Sequence, residues 1–416
     1  MKGISKNIGY LVLVQAVIYL APLATLPYLT RTLDVGHYAA LGFMQAVVQY
    51  FILITDYGFG ITATRLIAIS SNDKTKISSV VANTIAVKLL LACASALFAL
   101  VLTAAFADLR ESAMLLAACF VGVIGNALFP TWLFQGLEKM RTLAFITCAS
   151  RIIPLPLVFI FVNQHDDIVK AAILQNMPGV IAAAASFYYA GRRQLLVRSE
   201  FSTVSMAGIK AMLKEGWPVF LSSISTSFYT TINLILLKIF SGADQVAYFA
   251  ATDKIRLAVQ GFIQPVASAL FPRLVALGQD TDSARESRTL LRKGAALLIA
   301  LELLGGLVLY FGADSIALHY LGKAFLPAAV YLRLLAFLPL VIAAATAISQ
   351  WRFLALGHGR ALSKIYLIAG PLHAAYACLL TYAYQSYGLI ASLYVTEVSI
   401  TIAMVVVARR KKIPLF

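Results

Sequence analysis

The longest stretch of this sequence without a Lys, Arg, Asp or Glu residue runs from Ile365 to Thr396. A helix that crosses a bilayer needs about 20 mostly apolar residues, so this stretch alone is long enough for more than one span. The whole chain of 416 residues is 61% hydrophobic and 12% charged, with a mean hydropathy of +0.84. Soluble domains carry about 25% charged residues. The composition excludes a soluble enzyme, a disordered chain, a coiled coil and a disulfide-rich secreted domain, and it predicts a polytopic membrane protein.

Twelve stretches qualify as membrane spans. They exceed the roughly 10 residues of a membrane β-strand and do not alternate in polarity, so we expect an all-α fold. The last two spans are separated at the turn-like tetrad that begins at Gln385. The expected spans are about 8–29, 38–60, 78–106, 112–134, 143–162, 170–190, 216–237, 246–272, 294–312, 327–351, 365–384 and 389–408.

The basic residues indicate the orientation of the chain, because cytoplasmic loops are enriched in Lys and Arg. With the N-terminus in the cytoplasm, 24 of the 34 Lys and Arg residues fall in cytoplasmic segments and five fall outside. The remaining five lie within spans. This bias predicts that both termini are cytoplasmic, and it accounts for the net charge of +16 without a nucleic-acid partner.

A basic connection over 191–215 divides the spans into two sets of six. We therefore expect an N-terminal six-helix bundle over 1–190, a C-terminal bundle over 216–408 and a basic cytoplasmic tail over 409–416. The second span of each half opens on a similar pattern, Tyr38-Ala39-Ala40 after Asp34 and Tyr248-Phe249-Ala250 after Asp244. Two six-helix halves are typical of transporters.

Ionisable residues inside the spans point to function, since a charge at the bilayer centre costs about 2.5–3.5 kcal/mol on insertion scales. Five are basic, while three acids within spans and a possible fourth, Asp56, are too few to pair with all of them. The surplus predicts a cationic cavity that receives an anionic ligand, because Arg and Lys suit phosphate oxygens. Structural ion pairs or snorkelling side chains are the alternative for each residue. The five basic residues are Lys88, Arg151, Lys254, Arg256 and Arg333.

The acids have a second interpretation, because a buried carboxylate can carry a proton through a transport cycle. Asp56, Asp253, Glu302 and Glu397 are the ion-coupling candidates. Asp253 could instead neutralise one of its basic neighbours. His373 is another possible proton group, although a lone histidine on an apolar helix is more often a satisfied core residue.

No catalytic constellation emerges from the sequence. It contains no P-loop, no HExxH and no GxSxG motif. The glycines of Asp56-Tyr57-Gly58-Phe59-Gly60 indicate a helix-breaking turn and not a phosphate loop. The four cysteines lie in apolar stretches without metal-site spacing, so we predict no bound metal or cofactor. Transport would then be driven by the substrate's own gradient or by a coupled proton or sodium ion.

Several landmarks resemble bacterial O-antigen and polysaccharide flippases, in the polysaccharide-transporter branch of the multidrug/oligosaccharidyl-lipid/polysaccharide exporter superfamily. They are Leu26-Pro27-Tyr28-Leu29-Thr30-Arg31, the Asp56–Gly60 segment followed by Ala63-Thr64-Arg65, Lys88, Gly216-Trp217-Pro218-Val219-Phe220-Leu221, and the region from Tyr248 through Lys254 to Pro272.

The resemblance implies two six-helix bundles around a central cavity, alternating access and a polyprenyl-diphosphate-linked oligosaccharide as cargo. It also implies that basic residues lining the cavity bind the diphosphate or acidic sugars. In this sequence the resemblance assigns that role to Arg31, Lys88, Arg151, Lys254 and Arg256. Arg31 could equally be a structural anchor. Arg333 rests on the charge argument alone.

Three other functions are weighed against this one. A lipid-linked polysaccharide polymerase or ligase would need a large outward-facing loop, and a cationic-drug exporter would need an acidic cavity. A flippase for the peptidoglycan lipid precursor is the nearest competitor. The expected location is the bacterial inner membrane, where membrane lipids and other polysaccharide-assembly membrane proteins are the candidate partners.

Overall fold

The computed structural model describes the backbone of residues 2–197, 204–278, 284–411 and 413–414, with side chains from residue 13 onward except at positions 108, 278 and 284. Some basic residues that the sequence places on the cytoplasmic side lie outside the described residues. They are Arg198, Lys412 and the side chains of Lys2 and Lys6. Every regular element in the described ranges is helical, which confirms the all-α membrane fold.

Nineteen α-helices follow one another in the described ranges. They are α1 Lys2–Thr32, α2 Val35–Asp56, α3 Phe59–Ile69, α4 Lys74–Ala105, α5 Ala107–Glu111, α6 Ala113–Leu128, α7 Thr131–Gly136, α8 Met140–Ile152, α9 Pro154–Phe161, α10 Ile168–Arg192, α11 Met206–Thr230, α12 Asn233–Phe240, α13 Ala243–Gln260, α14 Ile263–Gly278, α15 Ala284–Phe311, α16 Ala313–Ser315, α17 Ala328–Leu335, α18 Leu338–Ile348 and α19 Gly359–Arg410. Short 3₁₀ turns occupy His165–Asp167 and Lys323–Phe325, and π-helical turns occupy Ile316–Leu321 and Ser349–Leu354.

Within the described ranges, nine helical segments are long and apolar enough to cross a membrane, and a tenth arises if α11 and α12 form one span bent by 44°. The expected span over 246–272 is divided between α13 and α14 at Gly261. Helix α13 is not apolar enough to count among these spans, because it carries the charged residues Asp253, Lys254 and Arg256. The total of twelve spans and the cytoplasmic location of both termini therefore stay predictions.

Helix α19 holds two of the expected spans, and its break confirms the predicted turn. Gln385 adopts φ 52° and ψ −134°, a conformation that favours glycine. Gln245 of α13 holds the turn from both sides: its side-chain amide donates to Gln385 Oε1 at 2.6 Å, and its oxygen accepts from the Ser386 backbone N–H at 3.2 Å. The chain therefore reverses where the sequence loses its apolar character.

The start of α4 shows how local chemistry sets a helix boundary. Asp73 is the N-cap, and its carboxylate accepts a hydrogen bond of 3.1 Å from the Lys76 backbone N–H. That bond holds the pKa of Asp73 below its usual value, because it favours the ionised carboxylate. The preceding helix ends at Ile69, so the polar tetrad between α3 and α4 separates two spans.

The chain forms two compact units. The larger unit contains Met1–Ala39 and Ser225–Phe416, and the smaller unit contains Ala40–Ile224. The boundaries fall inside α2 and α11, so α1 is grouped with the later helices and packs against α13 and α14. The predicted bundles over 1–190 and 216–408 assign α1 to the first half instead, and those boundaries stay a prediction.

Helices α6 and α10 cross closely in the smaller unit. A Cβ atom added to Gly125 would lie 2.7 Å from the backbone of Gly179, so these two glycines let the helix backbones touch. Such small-residue contacts are the usual means of packing helices in a membrane, where no hydrophobic force acts between them. The crossing fixes the position of α10, from which Gln175 accepts a 2.6 Å hydrogen bond from Gln45.

The Asp56–Gly60 segment forms the turn that the sequence predicts. Tyr57 and Gly58 have φ values of 45° and 81°, and they separate α2 from α3. A Cβ atom on Gly58 would lie 2.6 Å from Val219, so this position requires glycine. The Tyr57 ring stacks on Phe220 with centroids 4.6 Å apart. Two of the family-like landmarks therefore contact each other in the smaller unit.

Candidate substrate- and ion-binding residues

The ten candidate residues are divided between the two units. The smaller unit holds Lys88, Arg151 and Asp56, and the larger unit holds Arg31, Asp253, Lys254, Arg256, Glu302, Arg333 and Glu397. Lys88, Arg256 and Arg333 each lie beside an acid, so part of the surplus positive charge is neutralised within the protein.

Lys88 lies in the middle of α4 and is buried, with 1% of its surface exposed. Its ammonium group is 3.3 Å from Asp56 Oδ1 and donates a 3.0 Å hydrogen bond to the carbonyl of Asn126. The Asp56 side chain is 45% exposed. The pair forms because α2 ends at Asp56, next to Lys88 of α4. The Asp56 carboxylate is accessible to solvent, whereas the Lys88 ammonium group is not.

This asymmetry gives a testable difference between the two partners. Asp56→Asn is expected to destabilise the protein by about 3 kcal/mol, since it removes the negative charge that compensates a buried ammonium group. Lys88→Met is expected to cost less, because the released Asp56 carboxylate can be solvated. Thermal unfolding of the purified protein in detergent measures both variants. The double variant should be more stable than Asp56→Asn alone, and an equal or larger loss in the Lys88→Met variant would contradict the assignment.

Arg151 lies in the last turn of α8 and is half-buried. Among the described residues, no acidic side chain lies within ion-pair distance of it, and its charge acts on Cys148 one turn away. The residue between α8 and α9, Ile153, keeps helical angles although Pro154 follows it. The two helices therefore continue as one candidate span over Met140–Phe161.

Lys254 and Arg256 contact different partners, as their spacing on α13 predicts. The Lys254 ammonium group lies 3.3 Å from the Tyr38 hydroxyl and 5.3 Å from the centre of the same ring, which is a cation–π contact. Tyr38 is almost fully buried and packs edge-to-face on Phe325, with centroids 5.5 Å apart. Before the structure, Tyr38 is marked only by its place in the repeated pattern after Asp34.

Arg256 is buried, with 8% exposure, and is paired with Asp253 at 2.7 Å from Nε to Oδ1. Its second hydrogen bond goes to Gln260. Of the two basic residues next to Asp253 on this helix, it is therefore Arg256 that Asp253 neutralises. The charge of Arg256 also acts on Glu397 of α19, so these three residues form one electrostatic group.

Arg31 has the geometry of a structural anchor. Its guanidinium group donates to the carbonyl of His319, and its side chain packs on Gly322, where an added Cβ atom would lie 3.0 Å from Arg31 Cγ. The preceding Thr30 donates a 2.7 Å hydrogen bond to the carbonyl of Leu321. The end of α1 is thereby attached to the π-helical turn at Ile316–Leu321.

The last two candidates differ sharply in environment. Arg333 forms an ion pair with Asp314, and both side chains are exposed to more than a third. Glu302 on α15 is fully buried, and neither of its carboxylate oxygens has a hydrogen-bond partner within the described part of the chain. A buried carboxyl group in that situation is favoured in its neutral, protonated form.

One buried polar cluster was seen only in part from the sequence. His373 is fully buried on α19, where Nδ1 lies 2.6 Å from Thr396 Oγ1 and Nε2 lies 3.2 Å from Asn233 Oδ1. The sequence indicated His373 as an isolated histidine and gave no signal for its partners. They are 140 and 23 residues away, so only the packing of α12 and α19 brings them together.

Comparisons with known proteins agree with the all-helical transporter fold. Residues 4–277 match the family model described as polysaccharide biosynthesis protein. A protein of Shigella dysenteriae named as an O-antigen transporter is 35% identical over 405 residues, covering 96% of this chain and 98% of the relative. A protein of Escherichia coli K12 with the same name is 31% identical, covering 99% of this chain and 98% of the relative.

Solved structures show the same fold at lower identity. An inward-facing multidrug resistance transporter of the MATE family and MOP superfamily has a TM-score of 0.72 at 17% identity, with 94% of this chain and 92% of that chain covered. A eukaryotic MATE transporter has a TM-score of 0.68 at 13% identity, with coverage of 98% and 95%. The polymerase or ligase alternative is wrong, because the relatives named over the full length are transporters. The chain therefore belongs to the polysaccharide biosynthesis protein family, within which it is a multi-pass membrane transporter and not an enzyme.

Proposed function

We propose that this protein moves a polyprenyl-diphosphate-linked oligosaccharide repeat unit from the cytoplasmic to the outer leaflet of the bacterial inner membrane. The observation that carries the proposal is its identity of 31–35%, over nearly the whole chain, to proteins named as O-antigen transporters. An O-antigen unit combines a polar oligosaccharide with an anionic carrier lipid, so its transporter has to shield both from the hydrocarbon.

Basic side chains inside the spans support binding of the anionic part. Lys254 is held by the Tyr38 ring and hydroxyl, and Arg151 is not ion-paired within the described residues. Arg151 is the strongest candidate to contact the diphosphate or acidic sugars, and Lys254 is a candidate whose ammonium group lies against the Tyr38 ring. Lys88 and Arg256 each have an acidic neighbour, and a ligand that approached them would compete with Asp56 or Asp253 for the same hydrogen bonds.

Movement between the leaflets is proposed to occur by alternating access, in which the protein opens to one side of the membrane at a time. The absence of a nucleotide-binding motif from the sequence supports an ion gradient or the substrate gradient as the driving force. The orientation with both termini in the cytoplasm is part of the same proposal, because it places the basic segments on the anionic leaflet.

Deletion of the gene, followed by analysis of lipid-linked oligosaccharides, tests this function. We expect complete repeat units to accumulate on the cytoplasmic side and to disappear when the intact gene is restored. Accumulation of the peptidoglycan lipid precursor, together with a loss of cell-wall synthesis, would establish the nearest competing function. Normal surface polysaccharide in the deletion strain, without any accumulated intermediate, would refute both.

A further inference from the structure

From the geometry of the buried cluster around His373, we infer that its imidazole is a proton-binding site, in which the Thr396 hydroxyl and the Asn233 amide accommodate both protonation states. The site joins three segments of the larger unit: the break between α11 and α12, the first part of α19 and the part of α19 that returns after Gln385. Its use in transport rests on the proposed function, whereas the binding of the proton does not.

The orientation of Asn233 fixes one proton on the ring. The Asn233 side-chain nitrogen donates to the carbonyls of Tyr229 and Thr230, at 3.1 and 3.4 Å. These carbonyls belong to the last turn of α11, where a helix leaves its carbonyl groups without intrahelical partners. The amide oxygen of Asn233 must then face His373, and since that oxygen only accepts, His373 Nε2 must carry a hydrogen.

The Thr396 hydroxyl decides what the other ring nitrogen carries. Thr396 Oγ1 lies 2.6 Å from His373 Nδ1 and 2.6 Å from the carbonyl of Ser392, and it is also bonded to the Tyr376 hydroxyl. A hydroxyl group has one hydrogen to donate and two lone pairs that accept. The network consequently has two complete arrangements, which differ by a single proton and by the rotation of one O–H bond.

In the neutral arrangement, Thr396 donates to Nδ1 and accepts from Tyr376. In the protonated arrangement, a proton taken from water occupies Nδ1, the ring gains one positive charge, and Nδ1–H donates to Thr396. The Thr396 hydrogen then turns to the carbonyl of Ser392. Both arrangements leave every hydrogen-bonding group of the ring satisfied, although His373 is fully buried. A histidine that served only to fill space would require only one of these two hydrogen-bond arrangements.

Tyrosine side chains pack around His373. Tyr229 of α11 contacts the ring with centroids 6.4 Å apart and stacks on Tyr366, while Tyr376 lies 5.5 Å away on the same helix. The carboxylate of Glu397 acts on all three tyrosines, and Arg256 of α13 acts on Glu397. Helix α12 faces the ring with the Asn233 amide.

Protonation would act on the shape of the larger unit through Asn233. A hydrogen bond from a charged donor is roughly twice as strong as one between neutral groups. The cation therefore holds Asn233, and with it the 44° bend between α11 and α12, more firmly than the neutral ring does. Discontinuous helices of this kind carry coupling-ion sites in many transporters.

Nuclear magnetic resonance of the full-length protein, labelled with ¹⁵N-histidine, tests the site directly. The chain has five histidines, and the His373→Gln variant identifies the signal of His373 by its loss. We expect both ring nitrogens of His373 to change together across a single titration between pH 3 and pH 8, displaced toward acid because the ring is buried. A fixed neutral Nε2–H ring over that whole range would overturn the inference.

Two substitutions of Thr396 separate the proton switch from simple packing. Thr396→Val keeps the shape and removes the hydroxyl, and we expect it to move the titration midpoint by on the order of one pH unit. Thr396→Ser restores the hydroxyl and should restore the midpoint. Equal midpoints for the valine variant and the unmodified protein would show that the hydroxyl takes no part, and would overturn the proposed arrangement.

The role in transport is tested in the deletion strain. Export by the unmodified protein should depend on the external pH, and export by the His373→Gln variant should lose that dependence. If the deletion strain accumulates no lipid-linked units, the proposed function fails while the titration still decides whether the proton site exists. If His373 titrates and His373→Gln exports with unchanged pH dependence, the coupling role is refuted.

Discussion

A Lys254→Ala/Arg256→Ala variant is expected to reach the membrane in normal amount and to lose export of surface polysaccharide by about tenfold or more. A hydrogen bond that involves a charged group contributes about 1.5–3 kcal/mol. The loss of two such bonds to the ligand would therefore weaken ligand binding by more than a factor of ten. Lys254 lies against Tyr38 and Arg256 lies beside Asp253, and both are on α13 within the larger unit. Protein abundance in membranes and surface polysaccharide on gels measure the two quantities separately.

Two controls distinguish ligand binding from a structural role. Lys76→Ala removes an exposed lysine paired with Asp73 on the surface, and it should leave export unchanged. Asp253→Asn breaks the ion pair of Arg256 while the guanidinium group stays. If Arg256 serves the ligand, this variant should export far better than Arg256→Ala. Full polysaccharide production by the double alanine variant would remove both residues from the binding assignment.

Gly370→Ala is expected to give little or no stable protein, although it adds a single methyl group. The added Cβ atom would lie 2.0 Å from the carbonyl oxygen of Ser225 and 2.8 Å from its carbonyl carbon. Both are backbone atoms, so no side-chain rotation can relieve the overlap, and α11 has to separate from α19. Overpacking in a core costs about 1–3 kcal/mol, and a backbone clash belongs at or above the upper end.

The matched control is Gly60→Ala on α3, where nothing lies within 4 Å of the added Cβ atom. Alanine is a better helix former than glycine by roughly 0.5–1 kcal/mol, so Gly60→Ala should be neutral or slightly stabilising. Size-exclusion chromatography of the solubilised protein after heating compares the two variants. A Gly370→Ala protein as stable as the Gly60→Ala protein would contradict the close contact of α11 with α19.

The surplus of positive charge counted from the sequence is an upper limit on what a ligand could meet. Counting treats every cation as available, whereas pairing depends on proximity in space. Lys88 meets Asp56 across 32 positions of sequence, and Arg333 meets Asp314 at the surface. Among the described residues, no acidic side chain lies within ion-pair distance of Arg151, so its charge is not neutralised in this way.

The sequence determined the all-helical membrane character, the turn at Gln385, the turn at Gly58 and the family, because hydropathy and turn chemistry are local properties that each segment carries with it. Only the tertiary structure decided that Arg31 binds the carbonyl of His319, that α1 packs with α13 and α14, and that Thr396 and Asn233 meet at His373. Those contacts depend on which helix faces lie against each other, and periodicity along one segment contains no information about its neighbour.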